Sequence, residues 1–261
     1  MNRRQRKGLL GGLMVFSLLW GCTPTTETAV KPLRVGMDPA IGRPFVYEAT
    51  EKTYGGFEVE LSQYIADKLE RPLEIQAHRW NELPTLVQRK KIDLALSAIE
   101  KPEKAPAPDK LAFTPAYYTA YQKLSVHNSD NFTYNLSDLN NKKVGVVLNS
   151  VGALLLTELN KIKKAGIKIQ TFPTPEAVFE ALSKKEITAA LTERAVASWY
   201  AWKHKNVKLT GDAITTPLPY VGLLNQESEA LKKDIEAVFK AARQDPEFQA
   251  IFDKWHVSIK K

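Results

Sequence analysis

Side chains suited to covalent or metal chemistry are few and scattered. The 261 residues include four histidines (His78, His127, His204, His256) and one cysteine (Cys22). No spacing among them could close on a metal ion, and one cysteine cannot form an internal disulfide, so a Cys/His zinc site and a disulfide scaffold are excluded. A nucleophile elbow needs Gly-x-Ser-x-Gly and a phosphate loop needs Gly-x-x-x-x-Gly-Lys-Ser/Thr; neither occurs. Gly145 and Gly152 flank a strand-to-helix turn but stand too far apart for a dinucleotide fingerprint. The turn at Asn149-Ser150 does offer chemistry, because the free amides of a helix N-terminus bind a carboxylate or phosphate. Ser150 serves equally well as an N-cap alone, and the two readings stay open. Neither a metal nor a cofactor is expected.

The elements that must position such groups are legible in the apolar periodicity. Residues 33–37, 73–78 and 92–98 read as strands, and residues 57–69 and 81–90 as helices. Asn81 is a candidate N-cap, and Pro84 falls in the first turn, where its missing amide costs no hydrogen bond. A second run of the same kind begins at Lys143, with strands over 143–148, 167–172 and 187–192 and helices over 150–164, 174–184 and 193–204. Between the runs, the extended aromatic stretch 117–126 and the polar stretch 128–141 read as a crossover. The extended piece 220–225 follows, then helices over 228–243 and 246–255. This alternation predicts an α/β fold with largely parallel sheets, in two lobes whose cleft lies at the carboxyl ends of the strands.

The formal charge is +8, with 37 Lys plus Arg against 29 Asp plus Glu. Half of it belongs to Arg3, Arg4, Arg6 and Lys7, and residues 1–21 contain no acid. The lysine runs at 161–164, 184–185 and 232–233 fall at helix ends or on helix faces without interleaved aromatics, so no nucleic-acid partner is expected. Behind the basic start lie the apolar run 9–20 and then Gly21-Cys22. The run is too short to span a bilayer and has the length of an export signal. Leu19-Trp20-Gly21-Cys22 resembles a bacterial lipobox, which implies a lipoprotein signal peptide over 1–21, a lipidated Cys22 and a Thr/Pro-rich tether over 22–31. Two or three acyl chains would hold the protein stably at a membrane, outside the cytoplasm.

From Leu33 to Val257 the chain resembles the bacterial extracellular solute-binding proteins of family 3, the polar amino-acid receptors of ABC importers. The resemblance is carried by Leu33-Arg34-Val35-Gly36-Met37-Asp38, Gly56-Phe57-Glu58-Val59-Glu60-Leu61, Trp80 with Leu83-Pro84-Thr85-Leu86, and Lys91-Ile92-Asp93-Leu94. It continues through Phe113-Thr114-Pro115-Ala116-Tyr117-Tyr118, Lys143-Val144-Gly145-Val146 and Lys254-Trp255. It implies the type II periplasmic-binding-protein fold, with lobe 1 formed by 32–120 and 218–261 and lobe 2 by 121–217. It also implies ligand contacts at Asp38 (an acid sensing a basic side chain), Trp80 (a stacking wall), Ser97, Ser150 (beside a ligand carboxylate) and Glu193 (pairing with an ammonium). Lys104 stands where the family places an arginine that grips a carboxylate, Glu100 where a small hydroxyl residue is usual, and Val151 where a second Thr is common. Ile41, Gly42 and Arg43 replace an aromatic lid.

The resemblance implies a monomeric, membrane-tethered receptor that captures a small polar or amine-bearing solute by hinge closure and passes it to an ABC permease, without catalysis. Glu100 and Glu193 add negative charge that favours a cationic ligand group. Two other readings stay open: an enzyme on the same fold resembling cyclohexadienyl dehydratases, with Glu193 or Glu100 as general acid, and a lipoprotein acting only through protein contacts.

Overall fold

Two mixed sheets, each made of five strands, are built alike from different stretches of chain. In the computed structural model, which describes residues 30–101 and 107–257, the order is β1 (Leu33–Met37), β2 (Tyr47–Thr50), β3 (Thr53–Gly55), α1 (Phe57–Lys68), β4 (Leu73–Ala77), α2 (Leu83–Gln88) and β5 (Leu94–Ala95). It continues with β6 (Leu111–Phe113), β7 (Tyr118–Ala120), β8 (Gln122–His127), β9 (Lys143–Val147), α3 (Val151–Lys163), β10 (Lys168–Phe172) and α4 (Pro175–Ser183). The last elements are β11 (Ala189–Glu193), α5 (Arg194–Lys203), β12 (Val207–Thr210), β13 (Leu218–Tyr220), β14 (Leu223–Asn225), α6 (Glu229–Ala242) and α7 (Pro246–Lys254). The expected signal peptide, Cys22, most of the tether and Lys104 lie outside the described residues.

The first sheet has the order β4-β1-β5-β14-β6 and the second β10-β9-β11-β8-β12. In both, the first three strands pair in parallel and the other two pairings are antiparallel. The sheets are therefore mixed rather than largely parallel, because β14 returns from the second lobe and β8 enters from the first, each against the local strand direction. The two crossovers lie side by side, with β7 and β13 antiparallel and Tyr118 opposite Tyr220.

One expectation is corrected outright. The polar stretch 128–141 is no crossover: it joins β8 to β9, two strands of the same sheet. Its polar residues close local turns, with the Asp130 carboxylate accepting the Phe132 and Thr133 amides and Asn135 capping a short 3-10 turn. Boundaries shift elsewhere as well. The strand expected over 92–98 pairs only at Leu94–Ala95. The helix expected to begin at Asn81 is a 3-10 turn at Trp80–Glu82 followed by α2.

The first core gathers Leu33, Val35 and Met37 from β1, Leu61 and Ile65 from α1, and Phe239, Phe248 and Phe252 from the last two helices. Each such side chain contributes roughly 1.5–3 kcal/mol by leaving water. Val144, Leu156 and Leu191 centre the second lobe, while Val178 and Phe179 of α4 and Tyr200 of α5 pack together in a further cluster. Ala195 of α5 joins the first core, and the Trp199 ring lies 5.2 Å from that of Trp255, so α5 is packed against the end of α7. The start of α1 demands glycine. Gly56 has φ +130°, and a Cβ there would sit 2.1 Å from the Phe45 carbonyl oxygen.

Candidate functional site

At the carboxyl end of β1, three expected site residues come together. The Asp38 amide donates to Ser97 Oγ at 3.0 Å, its carboxylate accepts the amides of Ala40 at 2.9 Å and Trp80 at 2.8 Å, and Trp80 Nε1 donates to the Ser97 carbonyl at 2.9 Å. Asp38 therefore fastens the Trp80 turn to the strand end. The indole, 45% exposed, keeps a face open to solvent while its N–H is fixed. Ser97 is fully buried, its Oγ accepting the Asp38 amide.

Behind this cluster lies a residue whose role the sequence did not reveal. Glu58, in the first turn of α1, is fully buried. Its Oε1 accepts the Ala98 amide at 2.7 Å and the Tyr117 hydroxyl, while Oε2 has no partner. Burial pushes its carboxyl up to about 7, against the opposing pull of those two donors. Ala98 holds φ +49°, a left-handed conformation that side-chain-bearing residues adopt at a cost.

A cavity of about 290 Å³ opens beside the crossovers, lined by Glu100, Ala120, Tyr121, Gln122, Val151, Glu193, Thr215, Thr216 and Leu218. Two carboxylates face it, and no basic side chain is among these residues. Glu193 ends β11 and caps α5, with Oε2 accepting the Ala195 amide at 2.6 Å and the Val196 amide at 3.2 Å and Oε1 accepting the Tyr118 hydroxyl at 2.7 Å. Burial pushes its carboxyl up to about 7, and its hydrogen bonds and the nearby Arg194 oppose the shift. Glu100 stands at the rim, where partial burial raises it above its ordinary value. Val151 reaches the cavity because Gly152 lets α3 approach β11: a Cβ there would meet the Leu191 carbonyl oxygen at 2.6 Å.

Ser150 caps α3, its hydroxyl accepting the Ala153 amide at 3.2 Å. It lines an adjoining open hollow of about 440 Å³, which shares Val151 with the cavity and has Leu148, Asn149, Leu154 and Thr171 among its other walls. The structure thus brings Asp38, Trp80 and Ser97 into one group and Glu100 and Glu193 into another, with Ser150 in a third place. Gln122, Thr215 and Tyr118 belong to the second group and were not foreseen. The adjacent aromatics Tyr117-Tyr118 were the signal available for Tyr118. Among the described residues no set of three His, Cys, Asp or Glu side chains could hold a metal ion.

A family model described as "Bacterial extracellular solute-binding proteins, family 3" matches residues 33–258. The chain is 27% identical over 240 residues to the arginine-binding extracellular protein ArtP of Bacillus subtilis (strain 168), with 90% of each chain covered. It is similar to the structure of an ancestral arginine-binding protein bound to arginine, at a TM-score of 0.64 and 25% identity over 87% of this chain and 99% of that one. It also shares its fold with the ancestral amino acid-binding protein AncCDT-1, a precursor of cyclohexadienyl dehydratase, at a TM-score of 0.65 and 24% identity over 86% and 95% of the two chains. The architecture is the type II periplasmic-binding-protein fold, two Rossmann-like lobes joined by two hinge strands.

Proposed function

Because the chain belongs to the bacterial extracellular solute-binding proteins of family 3, we propose that it captures a small amine-bearing, amino-acid-like solute and delivers it to an ABC permease. One observation carries the ligand class: Glu100 and Glu193 face a single cavity beside the crossovers, with no basic residue among its described walls. A cation entering there meets the Glu193 carboxylate, screened from water so that attraction is stronger than at an open surface, with Glu100 at the rim. Arginine, which ArtP and the ancestral neighbour bind, has that charge.

In this reading the lobes divide at 32–120 with 218–261 and at 121–217, and closure about β7 and β13 brings the Trp80 wall over a ligand held by Glu193. Ser150 at the start of α3 and Lys104 are the candidate partners for a ligand carboxylate. Residues 1–21 act as a lipoprotein signal peptide, and Cys22 carries the lipid that keeps the monomeric receptor at a membrane surface outside the cytoplasm.

The test is a thermal-shift and native mass-spectrometry panel of basic amino acids, polyamines and small dicarboxylates. A ligand at about one hundred times its dissociation constant stabilises the bound form by roughly 2.7 kcal/mol, which the melting temperature reports. Shifts with amines support the reading; shifts with anions alone sink it, and silence across the panel leaves the non-binding lipoprotein standing. The elevated Glu193 carboxyl also suits a general acid, which favours a dehydratase-like elimination as the second reading. Product formed from prephenate or arogenate would establish that one.

A further inference from the structure

One peptide group links the buried acid of the first lobe to the exposed indole. The carbonyl oxygen of Ser97 accepts from Trp80 Nε1 at 2.9 Å, and the N–H of the same peptide, on Ala98, donates to Glu58 Oε1 at 2.7 Å. The chain Trp80 Nε1–H to Ser97 C=O, then Ala98 N–H to Glu58, runs through a single planar amide, so each bond polarises the other. The Ser97 side chain is held in turn by the Asp38 amide, which donates to its Oγ. The left-handed backbone at Ala98 is held at its amide by Glu58, with the Tyr117 hydroxyl beside it.

We propose that Glu58 is a positioning residue for the solute site, setting the orientation of the Trp80 indole through the Ser97–Ala98 peptide. This rests on the reading of the cleft as a solute site with Trp80 as its wall. Glu58 touches no solvent and lines none of the cavities described above, so its route to the Trp80 indole is that peptide. A carboxylate suits the task better than an amide would, since two donors converge on Oε1, and charge-assisted bonds to it are shorter and stronger. Tyr117, the second donor, ties the same oxygen to the residue preceding β7. Alignment of the wall is thereby linked to the start of the crossover.

The experiment compares Glu58→Gln, which keeps an acceptor, with Glu58→Met, which matches the length and removes it. The readout is the indole N–H resonance of Trp80 in the ligand-free full chain, assigned by Trp80→Phe. The expected result is a clear shift or broadening of that resonance in Glu58→Met and a much smaller one in Glu58→Gln. Arginine affinity, measured by calorimetry, should fall about tenfold in Glu58→Met and be restored largely in Glu58→Gln. An unmoved Trp80 resonance in a folded Glu58→Met variant overturns the proposal. Should that variant fail to fold, Tyr117→Phe decides, since removing one donor to Oε1 must still move the resonance, and an unmoved signal there overturns it equally. The indole readings need no ligand. Wild-type protein that ignores arginine and the wider panel would defeat the solute reading, while those readings still decide the link from Glu58 to Trp80.

Discussion

Glu58 and Glu193 are the same residue type in the same local setting, one in each lobe. Each sits at the start of a helix, each accepts a backbone amide, and each accepts a tyrosine hydroxyl from the same crossover, Tyr117 for the first and Tyr118 for the second. Burial pushes both carboxyls up to about 7. They differ in what lies on the far side. Glu193 opens onto a cavity with both oxygens engaged, whereas Glu58 is sealed with one oxygen unpartnered. The contrast teaches that, of two raised carboxyls, only the one a cavity reaches is open to a ligand. Where none does, the same chemistry is scaffolding.

The strongest way to break this contrast is Glu193→Ala. If Glu193 meets the ligand cation, removing it lowers arginine affinity by about one hundredfold or more, the scale seen when one partner of a buried charge pair is truncated. Calorimetric titration checks it, and a loss of no more than the tenfold expected for Glu58→Met would erase the distinction.

Next in size is the effect of pH. An unfolded glutamate ionises near 4.5 and these two near 7. The folded protein therefore retains protons that the unfolded chain has released. The stability contributed by the two groups is complete below about pH 4.5 and is lost as pH rises through about 7, on the order of 3 kcal/mol for the sealed Glu58 and less for Glu193. Melting temperatures of ligand-free protein across that window should fall less in Glu58→Gln and in Glu193→Gln than in the wild type. Arginine separates the two, because its affinity should rise with pH through about 7 in the wild type and in Glu58→Gln but not in Glu193→Gln.

A smaller effect tests how the second lobe reaches the cavity. Gly152→Ala forces α3 away from the Leu191 carbonyl at a cost of about 1–3 kcal/mol. It should displace Val151 and weaken arginine binding without moving the Trp80 resonance. The smallest effect separates the two roles left open for Ser150. Loss of the cap in Ser150→Ala costs about 1 kcal/mol, or roughly 2–4 °C in melting temperature for a protein of this size. Affinity unchanged by that variant makes Ser150 a cap and nothing more.

Much of the fold is legible in the sequence, because the apolar spacing that defines α1, α3 to α7 and β1, β4, β9 and β10 is local. The polar stretch 128–141 misleads because composition announces a loop without saying which strands it joins; that depends on β8 pairing with both β11 and β12. Glu193 could be read as a helix-capping acid near a strand end, and the structure places it at a cavity. Asp38 could be read as a ligand acid, while its oxygens hold the Ala40 and Trp80 amides. Glu58 was hidden, since an acid in a first helical turn ordinarily serves the helix dipole at the surface. Its burial follows from tertiary packing, although it stands three and four residues before the buried Leu61 and Ser62, on the inward stripe of α1.

The placing of Tyr117 and Tyr118 gives the crossover a parity. Neighbours in an extended chain face opposite ways, so which tyrosine serves which lobe depends on whether the residue count leading to them is odd or even. A slip of β7 by one residue against β13 would turn each hydroxyl toward the wrong carboxylate, whereas a slip of two would keep the frame. Chimaeras that exchange whole lobes between relatives should therefore be joined on the chain side of this pair where the count is preserved, whatever the similarity of the lobes themselves.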